Sequence, residues 1–142
     1  MNSPILAPAA VLILWSMLVL LYMVATRFPA FKRAGLDPNT AEPGAQYRDL
    51  EPVIEPRVNW VSHNYTHLME QPTIFYACVL VLALAGAGEG INLMLAWCYV
   101  GLRVLHSLWQ IFVNVVKYRI MIFATSSTVL LVLAINAVRA TL

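Results

Sequence analysis

The chain has 142 residues, of which 61% are hydrophobic and 11% are charged, and its formal net charge is +2. Soluble domains are about 45–50% apolar and about 25% charged, and small domains keep much of their surface in water. The composition therefore excludes an ordinary soluble protein. The small net charge, without a basic patch, excludes a nucleic-acid partner. We expect an integral membrane protein in contact with membrane lipid.

Four apolar runs follow one another along the chain, and each is long enough for a membrane-spanning helix of about 20 residues. They predict helices at about 5–27, 58–85, 91–116 and 119–140. A polar, proline-rich loop covers 28–56, whereas short links at 86–90 and 117–119 imply antiparallel neighbours. The predicted fold class is an all-α integral membrane protein, a four-transmembrane-helix bundle that forms one domain over 1–142.

The basic residues indicate how this bundle is oriented. The first and third connections share one side of the membrane and hold most of the lysines and arginines, whereas the other side holds only Arg139. Short cytoplasmic loops carry an excess of basic residues. We therefore expect both termini on the non-cytoplasmic side.

Cys78 and Cys98 both lie in apolar runs. Free cysteines in such positions behave as small hydrophobic residues. The sequence predicts neither a disulfide nor a metal site, because no metal-ligand spacing is present.

The third predicted helix carries a polar stripe. At about 100° per residue, Arg103, His106, Gln110 and Asn114 fall on one face. A charge at the centre of a membrane helix costs about 2.5–3.5 kcal/mol, so something must offset it. The stripe predicts a ligand-binding face. The alternative is an arginine that snorkels or pairs with a neighbour for packing.

The second predicted helix has a matching stripe that includes Arg57, Asn64 and His67. Glu70 lies to one side of His67, near the helix-disrupting Pro72. We interpret Glu70 as a candidate counter-ion for an arginine of the site. The alternative is that the lower half of this helix lies among the lipid headgroups and is simply hydrated.

Arg119 opens the fourth predicted helix, where a positive charge opposes the helix dipole. It is either a site residue or an interfacial anchor. Arginines, histidines and a carboxylate that converge near one membrane surface make an anion-recognising pocket. An arginine beside a thiol favours the thiolate, so a glutathione-like ligand fits, and the lipid side would admit a hydrophobic small-molecule substrate.

Two segments resemble the bacterial branch of the MAPEG family, the membrane-associated proteins in eicosanoid and glutathione metabolism. One is the stretch from Asn64 to Tyr76, and the other contains Arg103-Val-Leu-His106, Asn114 and Arg119. The similarity spans about residues 5–140. It implies a four-helix subunit, a homotrimer, and glutathione bound between subunits near the cytoplasmic face of a bacterial inner membrane.

The resemblance also implies roles for single residues. Arg119 matches the arginine that stabilises the glutathione thiolate and is the expected catalytic residue. The other matching positions are expected to bind glutathione or another anion; with the neighbouring polar residues of the two stripes they are Arg27, Arg57, Asn64, His67, Glu70, Arg103, His106, Gln110 and Asn114.

The chain departs from the eukaryotic enzymes of that family at two of these positions. His67 stands where they have a glutamate, and Gln110 stands where they have a tyrosine. The sequence predicts a glutathione-dependent transferase or peroxidase that acts on a hydrophobic electrophile or lipid hydroperoxide. The alternative is a non-enzymatic protein of the same fold, either a lipid- or anion-binding protein or an accessory subunit of a larger membrane complex.

Overall fold

The computed structural model describes residues 3–142 and consists of helices joined by short connections. The four long helices are each long and apolar enough to cross a membrane. A single short α-helix, α2, lies between the first and second of them. The bounds are α1 Leu6–Arg33, α2 Tyr47–Leu50, α3 Pro56–Leu84, α4 Gly90–Phe112 and α5 Val116–Thr141.

Helices α3 and α4 form the centre of the bundle, because each of them contacts all the other long helices. Their faces meet in a buried core in which the rings of Phe75 and Tyr99 stack with centroids 4.4 Å apart. Large apolar side chains such as Leu14, Leu84 and Leu131 point outward and are more than half exposed. This outer surface suits lipid, which makes contact with apolar side chains at no cost.

Helix α1 continues beyond the predicted end at residue 27 and stops at Arg33. Pro29 lies inside the helix and does not end it. The stop comes at Gly35, whose φ of 69° is left-handed, and the N–H of Leu36 donates to the oxygen of Phe31 at 3.0 Å. This closure satisfies the last carbonyls, and the basic residues of the last turn suit the negative end of the helix dipole.

The segment after α1, predicted as a loop over 28–56, is ordered by short helices and side-chain contacts. Two 3₁₀ turns, Pro38–Thr40 and Glu51–Val53, flank α2. Ile54 packs with Ala30 and Val58 in a small apolar cluster beneath this segment. Helix α3 has 29 residues and is about 43 Å long, so it extends well past a hydrocarbon layer of about 30 Å. The segment packs on this extension.

The connection between α4 and α5 lies at residues 113–115, before the predicted position at 117–119. The predicted position was wrong, because Lys117, Tyr118 and Arg119 occupy the first turn of α5. The chain reverses at Asn114, whose φ of 54° is left-handed. Asparagine adopts this conformation more readily than most residues. Its N–H donates to the oxygen of Trp109 at 2.7 Å and closes α4.

The turn between α3 and α4 lies against the start of the chain. A Cβ atom at Gly88 would approach Ser3 Oγ to 2.1 Å and Ile5 Cγ2 to 2.9 Å. Only glycine leaves room for this approach. The turn therefore holds the N-terminal end of α1 against the bundle.

Candidate functional site

Arg103 is the central feature of the site. It lies on α4, only 1% of its surface is exposed, and its Nη2 donates to the carbonyl oxygen of His67 at 2.8 Å. Its Nε and Nη1 are buried and have no hydrogen-bond partner within residues 3–142. A buried guanidinium with two free donors carries an uncompensated positive charge. The surroundings of Arg103 therefore favour an anion.

Three aromatic rings surround this guanidinium. The rings of His67 and His106 lie edge to face with centroids 5.8 Å apart. Phe123 of α5 lies 6.2 Å from His67 and 6.1 Å from His106, and the guanidinium carbon of Arg103 lies 5.7 Å from its centroid. Helices α3, α4 and α5 thus each contribute to one cluster of Arg103, His67, His106 and Phe123.

Glu70 lies at the edge of this cluster and pairs with His67. Its Oε2 is 3.2 Å from His67 Nδ1, one turn earlier on α3, and its side chain is 60% exposed. Among the described residues it forms no ion pair with Arg103 or Arg119. The carboxylate of Glu70, which the sequence predicts as a counter-ion for an arginine of the site, pairs instead with the imidazole one turn earlier on α3.

Arg119 lies in the first turn of α5 and is held by the turn that precedes it. Its Nη1 donates to Asn114 Oδ1 at 2.7 Å. Arg119 is half-buried, and it lies close enough to His67 and His106 for its charge to act on both imidazoles. Asn114 follows α4 and is therefore not part of the polar stripe on that helix. Its contribution to the site is the hydrogen bond that positions Arg119.

Asn64 and Gln110 are both buried beside the cluster. Asn64 Nδ2 donates to Ser107 Oγ at 2.6 Å, and Trp15 Nε1 donates to the same oxygen at 3.0 Å. These bonds join α1, α3 and α4. The amide oxygens of Asn64 and Gln110 remain buried with no hydrogen-bond partner in the part of the chain that the structure describes. Two buried acceptors and two buried arginine donors therefore have no partner in the described chain.

These residues all lie within the part of the chain that a family model recognises. The model, described as MAPEG family, matches residues 5–139. The chain belongs to the MAPEG family. Comparisons with curated proteins and with solved structures return no match. Together with the four apolar helices, family membership makes this a multi-pass membrane protein.

Two arginines that the MAPEG resemblance assigns to the site lie outside this cluster. Arg57 is exposed at the start of α3, where it lines a cleft of about 220 Å³ with Tyr22 and Phe112. Arg27 donates from Nη2 to Ser62 Oγ at 2.5 Å. Neither guanidinium contacts the residues around Arg103 within the described chain.

The guanidinium of Arg27 is instead covered by the segment that follows α1. Its carbon lies 3.5 Å from the ring centroid of Tyr47, and the Tyr47 hydroxyl donates to Asn59 Oδ1. Asn59 Nδ2 donates in turn to the oxygen of Glu51 at 3.0 Å. Arg27 therefore anchors this segment to α1 and α3 in the MAPEG subunit.

Sequence reasoning missed Phe123 as a member of the site. Its position four residues after Arg119 places it on the same face of α5, so helical spacing alone contained the signal. It also missed a bond deeper in the bundle, where Gln71 Nε2 donates to Ser127 Oγ at 2.7 Å. The partner on α5 cannot be read from α3 alone.

Proposed function

We propose that the protein is a glutathione-dependent transferase or peroxidase of the membrane, acting on a hydrophobic electrophile or a lipid hydroperoxide. The observation that carries the proposal is Arg103, a buried cation whose Nε and Nη1 have no acceptor among the described residues. A charge within the hydrocarbon layer costs several kcal/mol on any scale unless it is paired. Membership of the MAPEG family fits glutathione-dependent chemistry in general.

The groups around Arg103 fit the chemistry of glutathione, which carries two carboxylates, an ammonium group, amide N–H groups and a thiol. The free guanidinium nitrogens of Arg103, Nε and Nη1, can each donate to an anionic oxygen such as that of a carboxylate. The free amide oxygens of Asn64 and Gln110 match N–H donors. The exposed carboxylate of Glu70 matches the ammonium group.

Arg119 is the proposed catalytic residue. A positive charge beside a thiol stabilises the thiolate, which is the nucleophilic form. Asn114 Oδ1 accepts from one guanidinium nitrogen of Arg119 and fixes its direction, while other N–H groups are left for the sulfur. The apolar outer surface of the bundle gives a hydrophobic co-substrate access from lipid.

The proposal includes assembly and location. The resemblance implies a homotrimer, and the half-exposed His67 and exposed Glu70 fit a pocket that a neighbouring subunit completes. The concentration of basic residues at one end of the bundle fits termini on the non-cytoplasmic side of a bacterial inner membrane.

The direct test is turnover by the purified protein. We expect conjugation of glutathione to an aryl halide, or glutathione-dependent reduction of a lipid hydroperoxide, and a loss of about 100-fold or more in Arg119→Ala. Arg139→Ala, which removes an exposed arginine at the other end of the bundle, is the matched control and should keep full activity. Absence of both turnover and calorimetric glutathione binding in the wild type would refute the proposal.

A second candidate function is a non-enzymatic membrane component that binds a lipid headgroup or another anion in the same pocket, or that serves a larger membrane complex. The bond from Asn64 to Ser107 and the pair of Glu70 with His67 favour it, because both residues already have partners in the subunit. Co-purification of a stoichiometric phospholipid or protein partner, without glutathione-dependent turnover, would support this alternative.

A further inference from the structure

We propose that His67, oriented by Glu70, accepts the proton of the glutathione thiol, so that the site has a base as well as a charge that stabilises the thiolate. This inference rests on the proposed function. It concerns an imidazole, the side chain whose unperturbed ionisation lies nearest to neutral pH.

The geometry of the pair selects the nitrogen that reacts. Glu70 Oε2 lies 3.2 Å from His67 Nδ1. A negative charge this close to Nδ1 favours the neutral tautomer that carries its proton on Nδ1, so that Nε2 carries the lone pair. The same carboxylate stabilises the imidazolium that forms when Nε2 takes a proton. The backbone of His67 is also held, because its carbonyl oxygen accepts from Arg103 Nη2 at 2.8 Å.

The charged and titratable groups around the imidazole come from three helices. On α3 they are Glu70 and the more distant His63. His106 and Arg103 approach from α4, and Arg119 approaches from α5. The two arginines favour an anion beside the imidazole, which is where the sulfur would stand as thiolate. Glu70 is the only anion in this set, and it lies beside Nδ1 of His67, not beside Nε2.

The proton also has a route out of the site. The side chain of His67 is 37% exposed and that of Glu70 is 60% exposed, whereas Arg103 and His106 are buried. The pair therefore lies between the buried arginine and the surface of the subunit. A proton taken by His67 can pass to water within the pocket or to an incoming product at this edge.

The reaction needs no reagent other than glutathione and the co-substrate. The S–H bond of glutathione breaks, its proton joins His67 Nε2, and the electron pair stays on sulfur. With an aryl halide, the thiolate forms the C–S bond while halide leaves with the electron pair, and the imidazolium releases its proton to water. With a hydroperoxide, the thiolate takes the terminal oxygen, the leaving alkoxide takes the proton from the imidazolium, and a second glutathione reduces the sulfenic acid to give disulfide and water.

The structure supplies a matched control on the same helix. His63, one turn before His67, also pairs with a glutamate, with Nε2 2.8 Å from Glu51 Oε1. That pair lies outside the cluster of Arg103, His67, His106 and Phe123. If His67 only stabilises the fold through an ion pair, His63→Gln and His67→Gln should behave alike.

The experiment measures the pH dependence of kcat/KM for glutathione in purified wild type, His67→Gln, Glu70→Gln, His67→Ala and His63→Gln. General-base catalysis typically contributes 10²–10⁴-fold, so we expect His67→Gln to lose about 100-fold in kcat/KM, with glutathione affinity by calorimetry nearly unchanged. The imidazole ionisation should disappear from its pH profile. Glu70→Gln should show a smaller loss, and His63→Gln none.

Two further results separate the possible failures. Added imidazole should restore part of the activity of His67→Ala, which a structural role for His67 would not allow. If the wild type turns over but His67→Gln keeps its rate and pH profile, the inference is wrong and the proposed function stands. If the wild type neither binds nor turns over glutathione, the proposed function is wrong, and the inference about His67 is wrong with it.

Discussion

At the scale of single residues, the buried guanidinium of Arg103 donates one hydrogen bond, to the carbonyl oxygen of His67, and leaves two donors without acceptors in the described chain. Among the described residues, the burial of Arg103 costs more free energy than this bond returns. We propose that a ligand, and not stability, explains this residue.

This reasoning predicts the behaviour of Arg103→Met. The variant removes an unpaired buried charge and keeps most of the volume, and such replacements are neutral or stabilising by about 1–4 kcal/mol. We expect its melting temperature in detergent without glutathione to equal or exceed that of the wild type, and the upward shift on adding glutathione to vanish. A large loss of stability without ligand would show that Arg103 serves the fold.

Asn114 gives a second prediction, because its backbone and its side chain do different work. The left-handed φ of 54° suits glycine, whereas alanine pays about 1–2 kcal/mol there. Both Asn114→Gly and Asn114→Ala lose the acceptor for Arg119. We expect both to lower turnover by a similar factor and only Asn114→Ala to lower the melting temperature. Equal activity of Asn114→Gly and wild type would show that Arg119 needs no positioning by this side chain.

At the scale of elements, helical spacing predicted which residues share one face of α4. It did not predict which side chains pair between helices. Three of the four residues of the predicted stripe, Arg103, His106 and Gln110, lie on α4 and are buried, whereas Asn114 follows the helix. Helical spacing does not predict the partner of a side chain when that partner lies on another helix. Asn64 on α3 donates to Ser107 on α4, a pairing that the pattern of α3 alone does not show.

The sequence predicts the end of a helix only where a residue in that turn, such as a glycine, determines it. Helix α1 ends at the turn that contains Gly35 and not at Arg27. A charged residue such as Arg27 can continue a helix past the membrane surface. The start of α5 was misplaced for the same reason. Tertiary contacts, such as the ring of Tyr47 over Arg27, had no signal in the sequence pattern of the proline-rich segment.

That contact yields a prediction for the segment between α1 and α3. Tyr47→Ala removes both the stacking on Arg27 and the hydrogen bond to Asn59, whereas Tyr47→Phe removes only the bond. A cation–π contact contributes about 0.5–2 kcal/mol. We expect amide hydrogen exchange of residues 38–53 to accelerate strongly in Tyr47→Ala and weakly in Tyr47→Phe. Unchanged exchange in both variants would mean that the apolar cluster at Ile54 alone orders the segment.

At the scale of the whole molecule, charge is distributed unevenly between the two ends of the bundle. The end with the α1–α3 segment and the α4–α5 turn carries seven basic residues, namely Arg27, Lys32, Arg33, Arg48, Arg57, Lys117 and Arg119. The opposite end carries Arg139. The proposed site lies toward the basic end, where an anionic co-substrate is attracted from water.

This asymmetry predicts the orientation of the chain in the membrane. In a background of Cys78→Ala and Cys98→Ala, we expect a membrane-impermeant thiol reagent to label Glu89→Cys, in the α3–α4 turn, in intact cells. Glu42→Cys, in the α1–α3 segment, should be labelled only after the membrane is opened. The reverse pattern would place the basic end outside and overturn the orientation.

The central claim is that His67 of α3, the buried Arg103 of α4 and Arg119 of α5 face one another across a shared anionic ligand. The most direct measurement is a density map of the purified oligomer with glutathione added. We expect the tripeptide in this space, with a carboxylate at hydrogen-bond distance from the free donors of Arg103 and the sulfur facing Arg119. Apolar side chains between the two guanidinium groups, or guanidinium groups turned outward to phospholipid headgroups, would contradict the account.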